Sequence, residues 1–375
     1  MAGRSPRCFC ALAAIPLVLG CGDETSAPTP PDPCAGDEGR LLVTADWLNQ
    51  GLSLLSEPRL LAGCAADTAV VGRIDLAGFP PGPLQIEIAQ DGRTAVVSSS
   101  PGFFEGEGGA LVGSPEVPPG GNLLVVDLLD RVVVHTITTT HVPMGIAITP
   151  DGATAFTANF GRSDAPGDTL SVIDLVAGIE REAVVVGARP EQVALSDDGR
   201  LGIVNLAGDD TARIFETGDP SGTLSAPIPT GSDPSDVVFV GARALVTNSA
   251  GLSYTLIDVT DPSAPTGSAP QELPAAIPYA ATRVPGREEV LVSAILGSTK
   301  LFRVDMSGAA TAVTATIELE GGAFPLGVAV DPSGEHAFVA HPTDHVLSIV
   351  DLDSATVRSV AWLSEPGPTY VAVQP

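Results

Sequence analysis

Pro143 to Leu175 reads PMGIAITPDGATAFTANFGRSDAPGDTLSVIDL. Gly145-Ile146-Ala147-Ile148 is a short apolar run that stops at Pro150-Asp151-Gly152. Pro presets φ, Asp can bond its own backbone and Gly accepts positive φ, so the chain turns there. Ala155 to Asn159 forms a second run, Leu170 to Leu175 a third and Ala183 to Gly187 a fourth. Short β-branched runs punctuated by Gly and Asp predict a four-stranded antiparallel meander.

The frame recurs along the chain. It returns at Pro83 (PLQIEIAQDGRTAVVSSS), Pro190 (PEQVALSDDGRLGIVN), Pro234 (PSDVVFVGARALVTN), Pro278 (PYAATRVPGREEVLVSA) and Pro325 (PLGVAVDPSGEHAFVAH). From Pro83 to Pro368 the steps are 60, 47, 44, 44, 47 and 43 residues. Four strands at a period of about 40–50 residues predict an all-β propeller. The last unit supplies one strand, Pro368 to Val373, and the first begins at Arg40 to Asp46, which aligns with the second strand of the others. The fragments complement each other. The expectation is a seven-bladed ring closed by the C-terminal strand in the N-terminal blade, which leaves few open edges.

Val246-Thr247-Asn248, Thr157-Ala158-Asn159 and Val204-Asn205, with Pro150-Asp151-Gly152 and the triplets ending at Asp174 and Asp351, resemble the YVTN family of β-propeller repeats. The resemblance spans roughly residues 40–375. It implies the fold and an exported protein. It says little of activity, because propellers host unrelated functions.

Aromatic residues make up only 4% of the chain, so small apolar side chains and turns must build the core. The formal charge is −27. Such a surface repels nucleic acid and anionic lipid and attracts cations or basic partners. Residues 1–20 read as an export signal: Arg4 and Arg7 precede an apolar stretch from Cys8 to Leu19, too short to span a bilayer as a helix. Val18-Leu19-Gly20-Cys21 resembles a bacterial lipobox, which implies lipidation of Cys21. The alternative is an ordinary signal with Cys21 unmodified. Residues 21–38 are rich in Pro and Asp and read as a semi-extended tether. Residues 39–375 form the propeller. The expected location is the bacterial cell envelope, periplasm-facing or surface-exposed, with membrane contact only through the lipid.

Cys34 and Cys64 remain as an even pair in an oxidising compartment. They fall before the second strand and after the third strand of the first blade, at one end of a meander. A disulfide is geometrically reasonable; two free thiols are the other possibility.

Loops joining second to third strands share a face, here the top, with the links between blades. The insertions collect there, notably Ser100 to Gly121, and the opposite face is expected to hold tight turns and the tether. Second strands end in Asp46, Ser99, Asn159, Asn205, Asn248, Ser293 and His341, with Asn205 one residue out of frame. These residues either form a polar funnel that binds a ligand or bond adjacent backbone. Phe103 and Phe104 either contact a partner or pack on their own blade. The third strands end in Asp127, Asp174, Glu216, Asp258, Asp305 and Asp351, with Ser56 in the first blade, which read as turn caps. Tyr279 and Tyr370 follow inter-blade prolines, at the channel mouth.

His341 and His345 are separated by a Pro-containing loop, and no HExxH or paired-Cys motif is present, so no metal site is expected. Nucleophile elbows, phosphate loops and haem-attachment motifs are missing as well. The sequence therefore points to a monomeric binding propeller without chemistry or cofactor, engaging an envelope or extracellular protein, a glycan or a small ligand through its top face. The competing expectation is a cation-dependent lactonase-type hydrolase, with Ca²⁺ held by Asp46, Asn159, Asn205 and Asn248.

Overall fold

A computed structural model describes residues 32–47, 49–101, 120–274, 276–295, 299–320, 324–361 and 368–375. The export signal, Cys21, Phe103 and Phe104 lie outside the described residues.

Seven antiparallel sheets follow one another around a ring. Blade 1 holds β1 (Leu41–Asp46), β2 (Gly51–Ser56) and β3 (Val70–Asp75), with β29 (Tyr370–Val373) as its innermost strand. Blade 2 holds β4 (Pro83–Ile88), β5 (Thr94–Ser99), β6 (Gly121–Asp127) and β7 (Val132–Thr139). Blade 3 holds β8 (Ile146–Ile148), β9 (Thr154–Gly161), β10 (Pro166–Asp174) and β11 (Ile179–Val185). Blade 4 holds β12 (Pro190–Leu195), β13 (Leu201–Leu206), β14 (Thr211–Glu216) and β15 (Ile228–Pro229). In blade 5, β16 (Pro234–Val240), β17 (Arg243–Asn248) and β18 (Ser253–Asp258) are flanked by two short pieces, β19 (Thr266–Gly267) and β20 (Gln271–Glu272). Blade 6 holds β21 (Ile277–Arg283), β22 (Glu289–Ile295), β23 (Lys300–Asp305) and β24 (Ala312–Glu318). Blade 7 holds β25 (Val328–Val330), β26 (His336–His341), β27 (Val346–Asp351) and β28 (Thr356–Ala361).

The ring closes as the sequence predicts. β29 pairs antiparallel with β1, Leu42 opposite Val373 and Ala45 opposite Tyr370. Gln374 locks this closure: its Oε1 accepts from Leu41 N at 2.8 Å and its Nε2 donates to Gly92 O of blade 2 at 2.6 Å.

The core is a set of layers between neighbouring blades. Val43, Leu54, Ile86 and Val97 fill the space between blades 1 and 2, and Phe156, Leu170, Val204 and Phe215 that between blades 3 and 4. The second and third strands are covered on both faces, so they read as near-continuous apolar runs. The outer strands keep one face in solvent and alternate instead, as in β7 and β24. Among the described residues Phe156 and Phe215 meet at 5.3 Å. Gly202 is the reason Phe215 fits, because a Cβ there would collide with its ring.

First strands end in turns with glycine at positive φ: Gly92, Gly152, Gly199, Gly286 and Gly334 all lie between 66° and 73°. The Asp before Gly152 accepts from Ala153 N at 3.0 Å and Thr149 Oγ1 at 2.6 Å. On this face the expectation of tight turns fails in two blades. Blade 1 inserts α1 (Glu57–Leu61) and α2 (Ala66–Ala69) between β2 and β3, and blade 4 places α3 (Pro220–Thr223) after β14. Ser56 is why α1 forms: its Oγ accepts from Arg59 N and Pro58 sits in the first turn. Cys34 and Cys64 form a disulfide across this insertion, with Cα atoms 5.8 Å apart. Closing a 30-residue separation contributes about 3–4 kcal/mol in the chain-entropy description.

Candidate functional site: a blind central channel

The polar residues at the second-strand ends do not meet in an open funnel. Asp46, Asn248 and His341 each lie opposite the first paired residue of the third strand, Asn159 lies opposite Thr169 just past a bulge, and each is at most 1% exposed. They bind their own blades. Asn248 Nδ2 donates to Ser253 Oγ and Thr255 Oγ1, both at 3.1 Å, and its Oδ1 accepts from Gly231 N at 3.1 Å. Asn159 Nδ2 donates to Thr169 Oγ1 at 2.9 Å and Ser171 Oγ at 2.7 Å. His341 Nε2 lies 3.0 Å from Ser348 Oγ. Asp46 accepts from Thr44 Oγ1 at 2.9 Å and Ser53 Oγ at 2.5 Å; burial nevertheless pushes its carboxyl up to about 6.

Asn205, one residue out of frame, faces the other way, as a period of two requires. Its Oδ1 accepts from Gln192 N at 2.8 Å on the first strand of its blade, and its Nδ2 donates to Pro234 O of the next blade. Ser98, Thr247 and Ser293 hold the same register position and accept from Gln85 N, Asp236 N and Ala280 N. In these four blades the first strand bulges just after its proline. The hydroxyl or amide satisfies an amide that has left the ladder.

The third-strand carboxylates cap turns. Asp127, Asp174 and Asp351 each accept from the two amides two and three residues on, at 2.8 to 3.1 Å. Arg93 beside Asp127 holds its carboxyl below the usual range, and the turn amide of Ser354 does the same for Asp351. Among the described residues no three His, Cys, Asp or Glu gather as a metal site.

The cavity lies elsewhere. The innermost strands of all seven blades surround a channel of about 530 Å³. Its top is closed. Trp47, Leu84 and Met144, packed with Phe160, Tyr279 and Tyr370, form an apolar cluster there, and Trp47 Nε1 is tied to Ser100 O at 3.1 Å. Beneath this plug the wall turns polar. Gln192 Nε2 donates to Gln85 Oε1 at 3.1 Å. Asp236 accepts from Val237 N and Ala281 N, both at 2.7 Å; burial still pushes its carboxyl up to about 7. Tyr279 and Tyr370 adjoin, as their place after the prolines suggested. Burial keeps both phenols protonated well above their ordinary range, and the Tyr279 oxygen makes no hydrogen bond of ordinary geometry.

The opposite end opens between the first-to-second-strand turns, where Gln90, Pro150 and Asp197 are exposed. Arg283 of blade 6 reaches Asp197 of blade 4 across this mouth. The channel therefore opens on the face that carries the disulfide, not on the loop-elaborated face.

Between plug and mouth stands Glu87 on β4. Its side chain is exposed to the channel, yet the inner strands ring it closely enough that the surrounding protein pushes its carboxyl up to about 7. Among the described residues nothing hydrogen-bonds or pairs with it. Glu87 was missed in the sequence, yet a signal exists. Four residues beyond the repeat proline the other blades carry Ala147, Ala194, Val238, Thr282, Ala329 and Ala372. Glu87 is the one ionisable side chain at that position.

No protein-family model matches the chain, and no curated protein matches its sequence. Solved structures do match. The periplasmic gluconolactonase of Pseudomonas aeruginosa is similar with a TM-score of 0.70 at 17% identity, over 90% of this chain and 99% of that one. A functionally unknown protein from Desulfotomaculum acetoxidans gives 0.69 at 14%, over 89% and 99%. A putative 6-phosphogluconolactonase from Bacteroides uniformis gives 0.67 at 12%, over 90% and 100%. The likeness is one of fold. At these identities it does not carry substrate or mechanism across.

Proposed function

We propose that this is an exported, lipid-anchored β-propeller of the cell envelope that binds a small ligand in its central channel without transforming it. One observation carries the reading: a blind, water-accessible cavity of about 530 Å³ whose exposed wall is mostly polar, a size suited to a small molecule and a character suited to a polar one. The ring of second-strand residues supports the same view, because each is already engaged in holding its blade together. The ligand enters from the face of the first-to-second-strand turns. A tether from Cys21 to Cys34 spans at most about 45 Å, which leaves room beneath the mouth for a small molecule.

A hydrolase of the lactonase type is the second reading, favoured by Glu87. A carboxyl near 7 that is free of partners and wet is suited to moving protons at neutral pH. One experiment separates the two. Residues 22–375, disulfide intact, are screened by thermal shift against polyols, amines, sugar acids and lactones, with products followed by NMR. Thr282→Trp, at the repeat position of Glu87 and on the cavity wall, serves as the blocked control. Saturable shifts without conversion, lost in the blocked protein, are expected. Conversion that Glu87→Gln abolishes would establish the hydrolase instead. Shifts that survive the block would move binding out of the channel.

A further inference from the structure

We propose that the channel selects a small organic cation, a protonated amine on a compact body, with Glu87 as its counter-ion. The inference rests on the channel being the binding site, and it names the ligand's chemistry.

The argument is one of elimination along the wall. Four charged side chains line the channel: Glu87, Asp197, Asp236 and Arg283. Arg283 and Asp197 neutralise each other at the mouth. Asp236 is braced by the amides of Val237 and Ala281 on neighbouring inner strands, so its oxygens are engaged in joining blades 5 and 6. Glu87 alone of the four has neither a counter-charge nor a hydrogen-bond donor among the described residues. Its neighbours at the same level are the small or apolar residues of the other six blades, so the protein provides a carboxylate in mid-channel and no cation for it.

A carboxylate ringed by protein and without a partner is costlier in its charged form than one in open water. A ligand that brings the positive charge removes that cost, whereas an anionic ligand adds to it. A bare divalent ion is a poor fit, because such ions take several oxygen ligands and the described residues offer no second or third carboxylate beside Glu87. A cavity of this volume accommodates an organic body as well, with Gln85, Gln192 and Tyr370 above Glu87 to bond polar groups on it. The net charge of −27 draws cations toward the mouth.

The pH dependence follows. Of the titratable groups facing the lumen, Glu87 stands on β4, Asp236 on β16, Tyr370 on β29 and Arg283 on β21, with Asp197 just after β12; β8 and β25 place none there. A cation favours ionised Glu87, whose carboxyl is near 7 without ligand. Affinity should therefore fall by up to about tenfold per pH unit below about 7.

The test uses ligand-observed NMR on residues 22–375 with three matched probes: propylammonium, 1-propanol and propionate. The expected result is saturable propylammonium binding at about pH 8, severalfold to tenfold weaker at about pH 6, with propionate at least about tenfold weaker throughout. Glu87→Gln should cost propylammonium at least about tenfold at about pH 8, leave 1-propanol unchanged and reduce the pH dependence to the smaller part that Asp236 contributes. Propionate binding as tightly as propylammonium, equal propylammonium binding by Glu87→Gln, or no saturable propylammonium signal at millimolar concentration would each overturn the inference. Thr282→Trp tells the two failures apart. If neutral probes bind the wild type and not the blocked protein, the channel stands and only the charge assignment falls. If every probe binds the blocked protein, the channel reading falls too.

Discussion

The second-strand ends and the channel wall both carry polar groups, and the chain treats them oppositely. At the second-strand ends, Asp46, Asn159, Asn248 and His341 are each engaged with hydroxyls on neighbouring strands. On the channel wall, Glu87 has no such partner among the described residues. The first set recurs from blade to blade and the second occurs once. Repetition marks what the architecture needs everywhere, namely satisfied polar groups where strands are covered on both faces. A departure from the repeat marks what one place needs.

The comparison breaks most directly at Asn248. Asn248→Ala removes the donor to two buried hydroxyls and one of the two acceptors of the Gly231 amide, and should cost about 2 kcal/mol, seen as a Tm drop of a few degrees in calorimetry. Channel binding of the three NMR probes should not change. A loss of binding with little loss of stability would place Asn248 in a ligand site and undo the distinction.

A weaker effect is the response to pH. Asp236 and Glu87 have carboxyls raised to about 7 in the folded protein. The native state thus holds protons that the unfolded chain has released between about pH 4 and 7, so stability falls as pH rises through that window. The turn aspartates Asp127, Asp151 and Asp351 are held below their usual range and act the other way, losing stability as pH falls below about 4. Urea melts should therefore show maximal stability near pH 4–5, falling by on the order of 2 kcal/mol toward pH 8. Asp236→Asn should flatten that decline. A profile that rises monotonically to pH 8 would contradict the raised carboxyls of Asp236 and Glu87.

Smaller again is the loss of one turn cap. Asp174→Ala removes acceptors for the amides of Val176 and Ala177, which can turn to water instead, and should cost about 0.5–1 kcal/mol by urea melts. A loss several times larger would mean that these turns anchor the blades.

The ring itself was legible in the sequence because its code is local. Pro-x-x, an apolar run, an Asp-Gly turn and a second run recur with little drift, and the two end fragments fit one blade. The disulfide was legible as an even pair placed at one end of a meander, and the third-strand carboxylates as turn caps. Three features were not. The helices of blade 1 interrupt a frame the other blades keep. The direction in which the channel opens depends on Trp47, Leu84, Met144 and Tyr279 meeting from distant parts of the chain. The role of Asn205 turned on a single residue of register. Glu87 stood in plain view inside Ile86-Glu87-Ile88, but its meaning needed the six other blades laid beside it.

The smallest expected effect sharpens the comparison furthest. Glu87→Gln keeps shape and polarity and removes only the charge. Near pH 5 the wild-type carboxyl is protonated in the fold, so the variant should match it within about 0.5 kcal/mol. Toward pH 8 the variant should be the more stable protein, because the wild type must then hold an unpaired carboxylate in the channel. Removing a residue of the repeated set lowers stability at every pH, whereas this one lowers it at none. A residue whose removal stabilises the fold and weakens binding is retained for the ligand. If Glu87→Gln instead melts earlier at both pH values, Glu87 has a partner in the fold and belongs with the structural set.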